Sequence, residues 1–220
     1  MIPPFHDRQD AGQQMAQVLW AGYGQQTDAL VLGLPRGGLV VAYEVSQVLH
    51  AELDLCLVRK LGVPGHQELA MGAIAEGICI LNSALIHHCG ISEERLAQVI
   101  AAEEQELSRR DRTYRGEHPV PLIYDRTVIV VDDGLATGAT MMAALSVIQA
   151  QHPKQIIIAV PVAPKAVCSK LQDQVDAVVC LLNPEPFHAI GLWYDNFAQT
   201  TDGEVQSLLT KAWNQPSTFG

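Results

Sequence analysis

The chain has 220 residues, 48% of them hydrophobic, which is enough for one domain with a sizeable core and too apolar for a disordered chain. Its 24 acidic and 14 basic residues leave a formal net charge of −10, a balance that repels phosphodiester backbones and anionic membranes and argues against general nucleic-acid or membrane binding. No apolar run approaches the ~18 residues of a membrane span, residues 1–10 lack the basic and apolar regions of an export signal, and a soluble cytoplasmic protein is expected.

A helical pattern covers residues 10–21. Five short runs rich in Val, Ile and Leu follow, at 29–34, 53–58, 128–131, 156–160 and 177–182. Continuous runs of this kind suit strands covered on both faces. They alternate with helical patterns at 39–50, 138–151, 164–172 and 202–213, so βα units around a parallel sheet are predicted, an α/β fold. The first run leads into Leu34-Pro35-Arg36-Gly37-Gly38, and the second ends in Arg59-Lys60. Gly62, Pro64, Gly65, Gly72 and Gly77 punctuate residues 59–82. Their first part reads as a mobile loop, and 71–81 as a hairpin turning at Glu76-Gly77.

The clearest helix is an insertion at 92–115. Ser92 is its N-cap, Glu93 and Glu94 occupy the first turn, and Ile91 is placed to staple onto Leu96. Leu96, Val99, Ile100 and Leu107 form its apolar face, while Glu103, Glu104 and Glu106 are expected to face water. Residues 183–201 hold Pro184, Pro186, Phe187, Trp193, Tyr194 and Phe197 without a clean period. The five cysteines (Cys56, Cys79, Cys89, Cys168, Cys180) are odd in number and never spaced CxxC, so buried thiols are expected rather than disulfides or a zinc site. Among the eight histidines, His87 and His88 are adjacent and would not share a helix face, so no protein metal site is expected.

The most informative stretch is Val128 to Thr140, VIVVDDGLATGAT. A buried strand ends in two carboxylates, Asp132 and Asp133, and a turn of Ala136, Thr137, Gly138, Ala139 and Thr140 opens a helix. Ligands of open α/β sheets bind beyond the carboxyl ends of the strands, where this turn lies. Its glycines, hydroxyls and helix N-terminal N–H groups suit a phosphate monoester. The Walker spacing and GxGxxG are both absent. Two acids beside an anion site make sense if a polyol lies between, since adjacent carboxylates can hold a cis-diol, and the implied ligand is a ribose 5-phosphate.

With these residues in view, the sequence resembles the type I phosphoribosyltransferases, whose signature for 5-phosphoribosyl-1-pyrophosphate (PRPP) is a hydrophobic strand, two acids and a TGxT-like loop. The resemblance implies a Rossmann-like parallel sheet of about five strands flanked by helices, with residues 183–201 as a small C-terminal hood, all in a single domain. It implies that residues 136–140 bind the 5-phosphate, that Asp132 and Asp133 are catalytic beside the ribose, and that Arg36, Gly37 and Gly38 bind pyrophosphate. Arg59 and Lys60 resemble the catalytic basic pair heading the flexible loop of adenine-type members, which would then be residues 61–70, with Glu68 as its only acid. Phe187, Trp193 and Asp195 occupy the positions from which 6-oxopurine members hold a base, although Ala136 and Asn183 depart from that group.

The reaction implied is transfer of the phosphoribosyl group to a nitrogen nucleophile, such as a nucleobase or related planar heterocycle, with release of pyrophosphate. Mg²⁺ would be bound mainly through PRPP. The partners are PRPP and a small-molecule acceptor, and a homo-oligomer remains open. A PRPP-sensing regulator with little transferase activity is the alternative.

Overall fold

The computed structural model describes residues 4–214 and, within them, all side chains except those of Gln67 and Glu68, so the expectation for Glu68 lies outside the described residues. In chain order the elements are α1 (Arg8–Tyr23), β1 (Ala29–Gly33), α2 (Gly37–Leu49), β2 (Glu52–Leu55), β3 (Arg59–Val63), β4 (His66–Ala75), β5 (Ile78–Leu81) and α3 (Ser83–His88). Then come α4 (Glu93–Tyr114), β6 (Thr127–Val131), α5 (Ala139–Gln149), β7 (Gln155–Val162), α6 (Lys165–Gln172), β8 (Ala177–Leu182), a 3-10 turn at Ile190–Trp193 and α7 (Asp202–Trp213). They group into two compact units. The first takes the described residues up to Cys56, Pro119–Thr137 and the described residues from Pro153 on; the second takes Leu57–His118 and Gly138–His152.

The first unit holds a parallel sheet in the order β2-β1-β6-β7-β8. Every residue of β1 and β6 is buried, which is why these strands read as unbroken apolar runs. Asp7 caps α1 through its carboxylate on the Asp10 N–H at 2.9 Å, and Thr201 with Glu204 forms a capping box on α7. Arg126 ties the amino ends of three strands together. Its Nε donates to the Asp28 carbonyl at 3.2 Å, one Nη to the Ala29 carbonyl at 3.2 Å, and the other to the Glu52 carboxylate at 2.6 Å.

The chain leaves β1 toward β2 on one side and re-enters at β6 on the other, so the order of winding reverses between β1 and β6. Gly33 is paired with Val131, and the Leu34 N–H donates to the Val131 carbonyl at 2.9 Å. The turns that follow β1 and β6 therefore leave the same sheet edge side by side.

The second unit is an antiparallel sheet β3-β4-β5 covered by helices. The β4–β5 turn falls at Glu76-Gly77, as the sequence predicts, with Gly77 at φ +69°. Residues 61–70, expected as a flexible loop, instead belong largely to the strand pair β3–β4, whose register shifts around Gly62. The reason is packing. Leu61, Val63, Met71 and Ile74 bury against Leu85, Ile86, Ile91, Leu96, Val99 and Ile100, which gives the strands an apolar face despite their glycines. Arg59-Lys60 consequently opens β3 rather than closing β2, which stops at Leu55.

Helix α3 has no counterpart in the sequence prediction, because six residues are too few to show a period; it is capped by Asn82, whose side chain accepts from the Leu85 N–H at 3.0 Å. The Ser92 cap of α4 is as expected, with its hydroxyl accepting from the Arg95 N–H at 3.3 Å. Glu103, expected in water, is half-buried and paired with Arg59, since it lies three residues after Ile100 and four before Leu107, within the apolar stripe. On the other face of the small sheet, Ala143 and Val147 of α5 pack with Ala73, Ile78 and Ile80. Of the cysteines, only Cys56 is buried; Cys79 is exposed, and the other three are half-buried because they sit on an edge strand or on partly covered helices and turns. Among the described residues no helix is long and apolar enough to cross a membrane.

Met71 is fully enclosed in the second unit's core. Met71→Ala is expected to destabilise that unit by about 2–5 kcal/mol, read as a lowered urea midpoint.

Candidate functional site

Asp132 and Asp133 begin the turn after β6. The Asp133 N–H donates to the Asp132 carboxylate at 2.9 Å, so the pair folds back on itself. The first residue of α1 then reaches Asp133: Arg8 Nε donates to its Oδ2 at 2.6 Å, with the two side chains only 11% and 13% exposed. A charge-assisted bond in so sheltered a place is stronger than a surface ion pair. The same guanidinium donates to the Ala198 carbonyl at 2.6 Å and lies over the Phe197 ring, 3.8 Å from its centroid. The Tyr194 hydroxyl donates to the backbone carbonyl of Asp133.

The Arg36 turn packs directly on this pair. A Cβ at Gly37 would run into Asp133 Oδ2 and lie 2.6 Å from Arg8 Nε. Glycine is thus required for close approach, beyond supplying an N–H group. Arg36 is the N-cap residue of α2, with its guanidinium 3.5 Å from the Asp202 carboxylate; both side chains are well exposed, so this pair contributes little to stability and is readily exchanged. Arg36, Gly37, Gly38, Asp132 and Asp133 are therefore brought together in one unit, at the edge where the winding reverses.

Lost hydration and, second, the adjacent Asp133 charge push the Asp132 carboxyl well above the usual carboxylate range. Burial, and then the Asp133 charge, likewise raise the Tyr194 phenol, which keeps it a hydrogen-bond donor.

Further along the turn, the Leu135 N–H donates to the Val162 carbonyl at 2.9 Å, while Ala136 and Thr137 are exposed. Gly138 is the N-cap of α5 at φ +74°, a left-handed conformation that favours glycine, and no side chain caps the helix. Ala139 and Thr140 open the helix. Arg59 and Lys60 lie in the second unit, where Arg59 Nε donates to Glu103 at 2.6 Å. Phe187 and Trp193 pack against the cluster of Phe5, Val162, Leu182 and Tyr194. Asp195 is exposed, and its N–H donates to the Phe5 carbonyl at 2.8 Å. Among the described residues no three His, Cys, Asp or Glu side chains cluster as metal ligands.

Sequence reasoning missed Arg8 and Tyr194. Arg8 is 125 positions from Asp133 and lies in no motif, and Tyr194 reads as one aromatic among several. Only the fold joins them.

A five-stranded parallel sheet carrying a glycine turn and an acid pair at its winding reversal defines an α/β protein of Rossmann-like layout. The chain belongs to the phosphoribosyl transferase domain family, which it matches over residues 6–190. It is 43% identical over 210 residues to Rv0571c and to MT0597 of Mycobacterium tuberculosis, covering 94% of this chain; it spans 47%, about half, of the length of these curated relatives. The crystal structure of TT1426 from Thermus thermophilus superposes with a TM-score of 0.86 at 39% identity, covering 94% of this chain and 98% of that one. AQ2163 from Aquifex aeolicus shares the fold at 11% identity, with a TM-score of 0.52 over 92% and 84% of the two chains.

The raised Asp132 carboxyl has a consequence for stability. The folded state binds its proton more tightly than the unfolded chain does, so this contribution is complete below the unfolded carboxylate range and is lost as pH rises through the folded value. Asp132→Asn is neutral at every pH. It is expected to match the wild type in acid and to become progressively the more stable protein toward neutral pH, in urea denaturation across a pH series.

Proposed function

We propose that this chain transfers the 5-phosphoribosyl group of PRPP to a nitrogen nucleophile, with release of pyrophosphate. The observation that carries the reading is the contact between the glycine turn after β1 and the acid pair after β6, with Gly37 against Asp133. PRPP has an anion at each end of a polyol, and these residues offer a cationic turn and two acids in adjacent positions.

In this reading the turn 136–140 receives the 5-phosphate through backbone N–H groups and hydroxyls. Asp132 and Asp133 hold the ribose hydroxyls, and Arg8 keeps the Asp133 carboxylate oriented. Arg36 leaves Asp202 and, with the N–H groups of Gly37 and Gly38, takes the pyrophosphate. The bond from ribose C1 to the pyrophosphate oxygen breaks and a bond from C1 to the acceptor nitrogen forms. The positive charge that develops on the ribose ring is stabilised by the nearby acids. The acceptor gives up one proton.

Mg²⁺ would be carried on PRPP oxygens and water, a reading supported by the engagement of Asp133 with Arg8. When bound, it would neutralise charge on the departing pyrophosphate. Arg59 and Lys60 would assist departure, with Arg59 giving up Glu103. Phe187 or Trp193 would stack on a planar acceptor, with Asp195 beside it, and a nucleobase or related heterocycle is the class such rings favour.

The decisive experiment is a screen of nucleobases and amines for PRPP-dependent pyrophosphate release. PRPP binding without release for any acceptor would leave a sensor, and absence of PRPP binding by calorimetry would overturn the reading. Arg36→Ala is expected to weaken PRPP binding about tenfold or more while sparing ribose 5-phosphate, which lacks the pyrophosphate. Equal losses would place Arg36 elsewhere. Asp133→Asn should lower turnover by about tenfold to a hundredfold, as loss of a charged hydrogen bond in the transition state requires.

A further inference from the structure

Away from these turns, the outer edge of the parallel sheet carries two thiols that the transferase reading does not use. Cys168 lies in the first turns of α6 and Cys180 on the edge strand β8. One side-chain nitrogen of Asn183 stands 3.2 Å from the Cys168 sulfur and 3.3 Å from the Cys180 sulfur, and it also donates to the Ala163 carbonyl at 3.0 Å. One amide nitrogen thus touches both sulfurs, and the Cys180 thiol donates to the Leu182 carbonyl at 3.2 Å. Both are half-buried and line an open cavity of about 440 Å³. Its rim carries a cation, Lys165, an anion, Asp173, a hydroxyl, Ser169, and an amide, Gln172.

We propose that Cys168 and Cys180 form a dithiol–disulfide couple that exchanges with a low-molecular-weight disulfide bearing amino-acid groups, with Cys168 attacking and Cys180 resolving. The pairing of thiols carries the redox chemistry, and the rim of the cavity indicates the ligand class. Lys165 suits a carboxylate, Asp173 an ammonium, and Ser169 and Gln172 the polar atoms between.

The assignment of roles follows from the surroundings. The neighbouring Cys180 thiol and then the Asn183 amide hold the Cys168 thiol below its usual value, while the Cys168 sulfur and burial push Cys180 up. A thiolate near a helix N-terminus, with an amide donor on it, is the attacking sulfur of such a pair.

The steps balance. The Cys168 thiolate attacks one sulfur of the small disulfide, forming a mixed disulfide and expelling one thiolate. The Cys180 sulfur then attacks the Cys168 sulfur, its proton passing to the second departing thiolate. Two protein thiols are oxidised, and one small disulfide is reduced to two thiols.

The test is incubation of the whole reduced chain with glutathione disulfide, followed by tryptic mass mapping. Lys170 separates the two cysteines, so the product appears as residues 166–170 linked to residues 171–211. Cys180→Ser should stop at a mixed disulfide on Cys168, and Cys168→Ser should leave Cys180 unmodified. Cys79, exposed but with its thiol raised by burial and by the Glu104 charge, is the internal comparison. Cys168 should react roughly tenfold or more faster than Cys79 near neutral pH. Lack of the linked peptide in the wild-type chain would overturn the proposal, as would reaction confined to Cys79. So would modification of Cys180 in Cys168→Ser at the wild-type rate.

Discussion

An acid at the carboxyl end of a fully buried strand needs a counter-charge, and here the sixteen-residue first helix supplies it. The Arg8–Asp133 bond joins the first turn of α1 to the turn after β6. Helix α1 is held in place independently by Ala11, Met15, Ala16 and Leu19, all buried. The guanidinium is in turn fixed by the Ala198 carbonyl and the Phe197 ring. Removing it would leave a carboxylate in a sheltered position without its partner, a far larger cost than loss of a surface ion pair. The glycine at 37 is part of the same arrangement, because the space a side chain would need is occupied by the two charged groups.

The C-terminal aromatic segment contributes to the same site through packing. Tyr194 is buried, rests between Phe5 and Phe197 with centroid distances of 5.3 and 4.9 Å, and directs its hydroxyl at the Asp133 carbonyl. Phe5 and Tyr194 are also bridged through their backbones. Phe187 and Trp193 belong to the shell of that cluster, so these rings have a packing role. Site and core share residues here, and a change to a ring would be felt in both.

The second unit shows how a charge can sit within an apolar stripe. Glu103 lies between Ile100 and Leu107 on α4 and is tolerated because Arg59 of β3 meets it at 2.6 Å. The pair makes Arg59 part of the internal structure of this unit. A role for Arg59 in chemistry would require an exchange of partners, which a flexible loop would not have demanded.

The sequence alone determined the features that depend on neighbours in the chain. The five parallel strands were legible because strands covered on both faces are continuous apolar runs, as β1 and β6 are. The acid pair and the TGAT turn were legible because they are consecutive residues between a strand and a helix, and the Ser92 cap because capping spans three positions. Tertiary structure decided what depends on residues far apart. Strand β3 and the first half of β4 hid behind their glycines, since the face they bury is defined by α3 and α4 rather than by their own alternation. Arg8 against Asp133, Arg59 against Glu103, and Cys168 with Cys180 on one amide are each pairings across 12 to 125 positions. No local pattern encodes them, because a charge or a thiol takes its partner from whatever the packed elements bring within about 3 Å.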